Sequence, residues 1–299
     1  MLSPVLLVDS IERLAPSASL RNIEAAQTAA QWAGFEVYQI EPDFERCGTA
    51  EAALCNVPAG PSRAAFWVGY IPDAARYSAI SQAAMEKGLR LPNSLEQHLR
   101  VTEMDLTFPP LQGLTPETVV AYDWSDCEVA AAALRFPIFV KGAVQSLKSD
   151  GWTACVANTS EELRALWFRL QTQSARSRGK VILRELLPLR HKSLSGLGFP
   201  YGREYRLFCY RGTVVTKDYY WGGSDPFGEL CEGELDAVHQ LAQEALIRLD
   251  VPYCTLDIGQ DENFRWWVIE SADGQFSGMA PQSVTAHWHR LAGLLRRQQ

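Results

Sequence analysis

The stretch "FRWWVIESADGQFSGM", residues 264–279, decides how this chain is read. Trp266, Trp267, Val268 and Ile269 make an aromatic and β-branched run that fits a buried strand. The run ends on Glu270, and Asp273-Gly274, a strong turn dipeptide, follows closely. The acids therefore read either as a turn or as metal ligands held at the mouth of a strand, and the aromatic run before Glu270 argues against simple exposure.

Working outward, "PYCTLDIG" (252–259) is a second apolar run, separated from the first by Asp261-Glu262-Asn263. A hairpin about that turn brings the carboxylates of Asp257 and Glu270 near one another. Like charges side by side are unfavourable unless protonated or bridged by a cation. Hard cations such as Mg2+ take carboxylate oxygens and keep places for substrate phosphates.

The charged residues in and around other strands gain meaning from this pair. Lys141 ends the apolar strand "PIFVKG", from which an ammonium reaches a phosphate or simply leaves the sheet for water. Lys148 lies in the loop "VQSLKSDGW", whose hydroxyls, ammonium and N–H groups suit phosphates; it matches neither the P-loop nor the G-x-G-x-x-G pattern, and by itself reads as an ordinary hairpin. Glu185 ends the strand in "VILRELLP". The backbone of Leu186 and Leu187 there suits the donor and acceptor of an adenine ring with Glu185 beside the exocyclic amine, and equally Glu185 reads as a strand-end acid paired with Arg184 or a neighbour.

In "REYRLFCYRGTVVTKDYYW", Glu204, Arg206 and Phe208 share one strand face. An arginine held mid-strand by an acid suits a bidentate grip on phosphate or carboxylate, and equally an internal salt bridge. Arg203 and Lys217 are lesser candidates, and Lys217 faces either the same cleft or the opposite side. His287 and His289, two apart on a C-terminal helix, do not face each other.

The whole chain fits a folded protein with sizeable cores: 299 residues, 47% apolar and 10% aromatic. Twenty-eight basic against 35 acidic residues give a net charge of −7, so a general grip on nucleic acid is not expected. "PVLLVD" is too short for a membrane helix and has no basic region before it, so no spanning segment or signal peptide is expected. Seven scattered cysteines without a C-x-x-C predict reduced thiols and a cytoplasmic protein.

Along residues 1–95, strand "PVLLVD", the helical "SLRNIEAAQTAAQWAG", strands "FEVYQI" and "AAFWVGY", the helical "DAARYSAISQAAMEKG" and the short strand "LRLPNS" predict a parallel α/β layer. A domain boundary is expected near residue 95. From 96 the pattern becomes α+β with antiparallel sheets: a helix broken at "FPPLQG", helix "SDCEVAAAALRF", adjacent strands "PIFVKG" and "WTACVAN", helix "TSEELRALWFRLQ" and strand "KVILREL". The final third repeats it with two hairpins, a long helix (233–250) and a closing helix (281–297).

Taken in order, the strand ending in Lys141, the loop "GAVQSLKSDG", the hinge "ILREL", the strand "REYRLF", Asp257 and "ESADG" resemble the ATP-grasp superfamily. The resemblance implies a pre-ATP-grasp layer over 1–95 and an ATP-grasp domain over 96–299, with lobes of about 96–185 and 186–299. "EYRLF" with "DGQFSG" is similar to a small bacterial and phage clade, more distantly to the eukaryotic cell-division-cycle protein that assembles a translation initiation factor.

Carried over by position, the resemblance implies that Lys141 and Lys148 touch ATP phosphates, that Glu185 with Leu186 and Leu187 holds adenine, and that Asp257, Glu270 and Asp273 hold Mg2+. Arg206, with Arg203 and Lys217 behind it, stabilises the transferring phosphate or binds an acceptor carboxylate. Asp273 stands where the family has Asn, and the phosphate loop is poor in glycine. The implied activity is an ATP- and Mg2+-dependent carboxylate–amine ligase acting through an acyl phosphate on small-molecule or peptide substrates, or on a protein acceptor. An ATP-binding assembly factor and an ATP-dependent kinase stay open as alternatives.

Overall fold

The computed structural model describes residues 2–10, 17–41, 43–222 and 227–297. Strands β1 (Val5–Asp9), β2 (Glu36–Ile40), β3 (Arg63–Val68) and β4 (Leu89–Arg90) form a parallel sheet in the order β2-β1-β3-β4. Helices α1 (Ala18–Trp32), α2 (Phe44–Cys47), α3 (Ala50–Ala53) and α4 (Ala74–Glu86) connect them. Every residue of β1 is buried, as a central parallel strand covered on both faces must be. Ser17, not Ser19, caps α1, its side chain accepting from the Leu20 amide.

One face of this sheet packs Leu7, Trp67, Tyr77 and Ile80 into its own core. The other face packs Leu6, Phe66 and Ile23 against Phe208, Tyr253 and Trp288 from the far end of the chain. The parallel layer therefore buries its second apolar face only by docking on the rest of the molecule.

Helices α5 (Leu95–Thr102) and α6 (Met104–Leu111) lead into a second sheet. Helix α6 runs through Pro109 and Pro110, where the sequence predicts a break. Both prolines stand in its last turn, where few helical N–H bonds remain to be lost. The second sheet is antiparallel, ordered β5-β8-β6-β7, from β5 (Thr118–Ala121), β6 (Ile138–Gly142), β7 (Val156–Ala157) and β8 (Val181–Glu185). Helices α7 (Trp124–Leu134), α8 (Ser160–Gln171) and α9 (Ser174–Ser177) accompany it.

A small hairpin, β9 (His191–Leu194) and β10 (Pro200–Gly202), precedes the third sheet. That sheet is also antiparallel, ordered β12-β11-β13-β14, from β11 (Glu204–Tyr210), β12 (Thr213–Tyr219), β13 (Tyr253–Gln260) and β14 (Trp266–Asp273). Helix α10 (Glu232–Leu249) packs on one face and α11 (Val284–Arg296) closes the chain against α1. The architecture is mixed: a parallel α/β layer followed by two antiparallel sheets with helices. All seven cysteines are free thiols. No described helix is long and apolar enough to cross a membrane.

Candidate active site

The register of the third sheet sets four charged residues in one row across its strands. Asp218 pairs with Arg206, Arg206 with Asp257, and Asp257 with Glu270. Cross-strand partners project to the same face, so this row is a property of sheet register rather than of proximity in sequence. Arg206 grips Asp257 bidentately, Nε to Oδ1 and Nη2 to Oδ2 both at 2.7 Å, and donates from Nη1 to the Gly278 carbonyl at 3.0 Å.

The second sheet faces this row. Lys141, buried on β6, donates to Glu270 across the cleft. Burial alone would raise the Glu270 carboxyl, but Lys141, Lys148 and Arg206 outweigh it and hold it down to about 2. Lys148 lies 5.1 Å from the Tyr220 ring centroid, and the Arg206 guanidinium lies 4.9 Å from the same ring. Burial works against the Lys148 ammonium, yet Tyr220, Glu204, Glu270 and Asp257 together keep its affinity for a proton above the ordinary range. Glu204, 2% exposed, behaves oppositely. Burial pushes its carboxyl up to about 7, with Asp257 and Glu270 adding to the effect and Lys148 and Arg206 opposing it.

Beside this charged centre, the hinge after β8 lines a cavity of about 610 Å³ that is partly open to solvent. Glu185, Leu186 and Leu187 form one wall, with Phe139, Phe199 and Trp221 among the others. Among the described residues the Leu186 backbone makes no hydrogen bond, and the buried Trp221 Nε1 has no partner. An unpaired backbone segment along an apolar slot suits a heteroaromatic ring. Arg184 fixes the hinge to the third sheet: Nη1 donates to the Ile269 carbonyl at 2.6 Å, Nη2 to Thr115 Oγ1 at 2.6 Å and Nε to Thr118 Oγ1 at 3.1 Å.

Three predicted site residues lie elsewhere. Lys217 pairs with Leu207, on the face of the sheet away from Arg206, and its ammonium stands 5.6 Å from the Tyr205 ring centroid. Arg203 is buried against Glu234 and the carbonyls of Phe227 and Glu229, where it anchors the start of α10. Asp273 lies three residues past Glu270 and so emerges on the opposite face. His98 Nδ1 is 2.9 Å from its Oδ2, and the Gln275 amide donates to Oδ1 at 3.0 Å. Its carboxylate ties α5 to the third sheet instead of joining Asp257 and Glu270.

Two residues at this centre, Tyr220 and Asp218, carry no role in the sequence reading. Asp218 is legible as an even-spaced partner of Arg206; the value of Tyr220 depends on cations arriving from two elements. Asp218 accepts from the Ser283 hydroxyl, and its buried Oδ2 has no partner among the described residues.

The sequence profile of an ATP-grasp domain, that of R-two-K clade family 3, matches residues 123–291, more than half of the chain. The chain belongs to this ATP-grasp family. None of the curated proteins compared with it matches. Among solved structures, a RimK-domain ATP-grasp protein from Sphaerobacter thermophilus is similar over 98% of this chain and 100% of its own, at 14% identity and a TM-score of 0.62. D-alanine–D-alanine ligase from Bacillus anthracis, complexed with ATP, is similar over 99% and 97% at 11% identity and 0.64. The ATP-grasp ligase PsnB, complexed with a minimal precursor, is similar over the whole of both chains at 14% identity and 0.60. At such identities the likeness shows the fold, over the parallel layer as well as the two antiparallel sheets.

Proposed function

We propose that this ATP-grasp protein is an ATP- and Mg2+-dependent carboxylate–amine ligase that forms an amide or peptide bond. The parallel layer (1–95) acts as its pre-ATP-grasp domain, and 96–299 as the ATP-grasp domain with its two lobes. The observation that carries the reading is the charge row Asp218-Arg206-Asp257-Glu270, faced by Lys141 and Lys148 and flanked by the apolar hinge cavity. Adenine occupies the hinge slot, against the free backbone of Leu186 and beside Glu185 and Leu187. Lys141 and Lys148 hold the phosphates.

The acids suit Mg2+: Asp257 and Glu270 are hard oxygen donors on paired positions, and Mg2+ usually takes one or two carboxylates together with substrate phosphates. Mg2+, when bound, neutralises phosphate charge. The substrate carboxylate attacks the γ-phosphorus and ADP departs, leaving an acyl phosphate. An amine then attacks the acyl carbon, the C–O bond to phosphate breaks, and the amine proton leaves on the released phosphate. Arg206 stabilises charge on the transferring phosphoryl group; removing one such preorganised donor costs about 3–4 kcal/mol of barrier.

The test is ADP and phosphate release from Mg-ATP on adding pools of amino acids and peptides. Stimulated release of both supports the ligase. Tight ATP binding with no stimulation favours an assembly factor, and a phosphorylated product without free phosphate identifies a kinase.

A further inference from the structure

Strand β11 presents Glu204, Arg206 and Phe208 to the cleft at alternate positions, each about 7 Å from the next. Glu204 lines the hinge cavity. Phe208, two residues beyond Arg206 on the same face, lines a second cavity of about 690 Å³ counted with its open mouth. Gly278, whose carbonyl accepts from Arg206, is in its wall, as is Gln145 from the loop after β6. Arg206 lines neither cavity itself; it stands between Glu204 and Phe208 on the strand and reaches the wall of the second through the Gly278 carbonyl.

The lining of this second cavity is distinctive. Ile23 and Ala26 of α1, Phe208, Met279 and Trp288 give it an apolar body, and Asn22 and Ser277 supply neutral hydrogen-bonding groups. Among the described residues it has no Asp, Glu, Lys, Arg or His side chain. Burial pushes the Tyr253 phenol well above its ordinary range, and its hydroxyl sits 2.9 Å from His287 Nε2. Gly274 is required for this wall, since a Cβ there would lie 2.8 Å from the Tyr253 ring.

We infer that the carboxylic acid activated at Arg206 places a neutral, apolar body in this cavity and carries no free ammonium beside its carboxylate. An unpaired ammonium or a second carboxylate would lose its hydration there with no opposite charge to replace it. The class is an N-acylated aliphatic or aromatic amino acid, of which the apolar C-terminal residue of a peptide is one source. This rests on the ligase reading for the chemistry, while the cavity's preference can be measured without turnover.

The experiment offers N-acetyl-leucine, leucine and N-acetyl-glutamate with Mg-ATP and hydroxylamine, which traps an acyl phosphate as the hydroxamate and releases phosphate. The expected result is hydroxamate and ADP from N-acetyl-leucine with kcat/KM at least about tenfold above the other two. Met279→Glu, and Ser19→Glu as a second variant on the first turn of α1 where an acid is tolerated, should each lower that value about tenfold or more. Acetyl-glycyl-leucine separates the two sources within the class: use equal to N-acetyl-leucine assigns the peptide C-terminus, and weaker use assigns the small acid. Equal or better use of leucine or N-acetyl-glutamate overturns the inference. If no acid gives hydroxamate, a rise in Tm with N-acetyl-leucine that both variants abolish keeps the cavity assignment and sinks the ligase reading; no rise sinks the cavity assignment too.

Discussion

Lys141 on the second sheet donates to Glu270 on the third, so an ion pair spans the cleft between two sheets that share no strand. Each partner sits on a rigid strand. Together with Arg184 on the Ile269 carbonyl, the pair holds the sheets face to face, and it leaves a carboxylate and an ammonium at the place where phosphates and Mg2+ are proposed to bind.

Glu270→Gln tests both roles. The carboxyl is held at about 2 against an ordinary 4.5, so its stabilisation is present above pH 4.5 and disappears as pH falls toward 2. Its size is at most about 3 kcal/mol. Urea unfolding should show wild type ahead of the variant at pH 7, with the gap closing between pH 4.5 and 2, while Glu270→Ala abolishes Mg-ATP turnover in a protein that still folds. Full ADP release by that variant would sink the metal assignment.

Glu204 carries the opposite sign. Its folded value of about 7 lies above the ordinary 4.5, so the carboxyl favours folding below pH 4.5 and that contribution is lost as pH rises through 7. Glu204→Gln should match wild type at about pH 4 and exceed it at about pH 8.5 by up to about 3 kcal/mol. Thermal melts across that range decide it: a gap that does not widen with pH shows that Glu204 is not held neutral.

Arg206→Lys keeps the charge and loses the bidentate fork on Asp257. ADP release should fall about 10²- to 10³-fold in kcat. Arg206→Ala also leaves Asp257 buried without its partner and should cost about 3–5 kcal/mol of stability. Near-normal kcat in the lysine variant would mean that charge alone suffices.

Lys217→Ala and Asp273→Ala separate residues in the cleft from those outside it. Lys217 points to the Tyr205 side of its sheet, so its loss should leave ADP release within about threefold of wild type. Asp273→Ala strips the acceptor from His98 and Gln275 and should cost about 2–4 kcal/mol in unfolding, with little change in the Mg2+ concentration needed for turnover. A large rise in that requirement would return Asp273 to the metal.

Much of the fold is legible because periodicity is local. The apolar runs of β1, β6, β8, β13 and β14 and the turn at Asp261 to Asn263 are visible in residue order, and with them the pairing of Asp257 with Glu270. Strand alternation alone also places Glu204, Arg206 and Phe208 together. The same alternation separates Asp273 from Glu270, because β14 continues through "ESAD" and the turn begins only after it.

By itself, then, the sequence determined the longer strands and helices, their order, and the arginine and acids of the third sheet, because each follows from hydrophobic period, turn chemistry and spacing along one strand. Only the tertiary structure decided which face each strand turns to the cleft and what crosses between sheets. It sent Lys217 and Arg203 to the α10 side, bound Asp273 to His98, brought Tyr220 between two cations and set Lys141 on Glu270. The physical reason is that a side chain's charge and its position along a strand are written in one dimension, whereas its partner comes from whichever distant element burial packs against it.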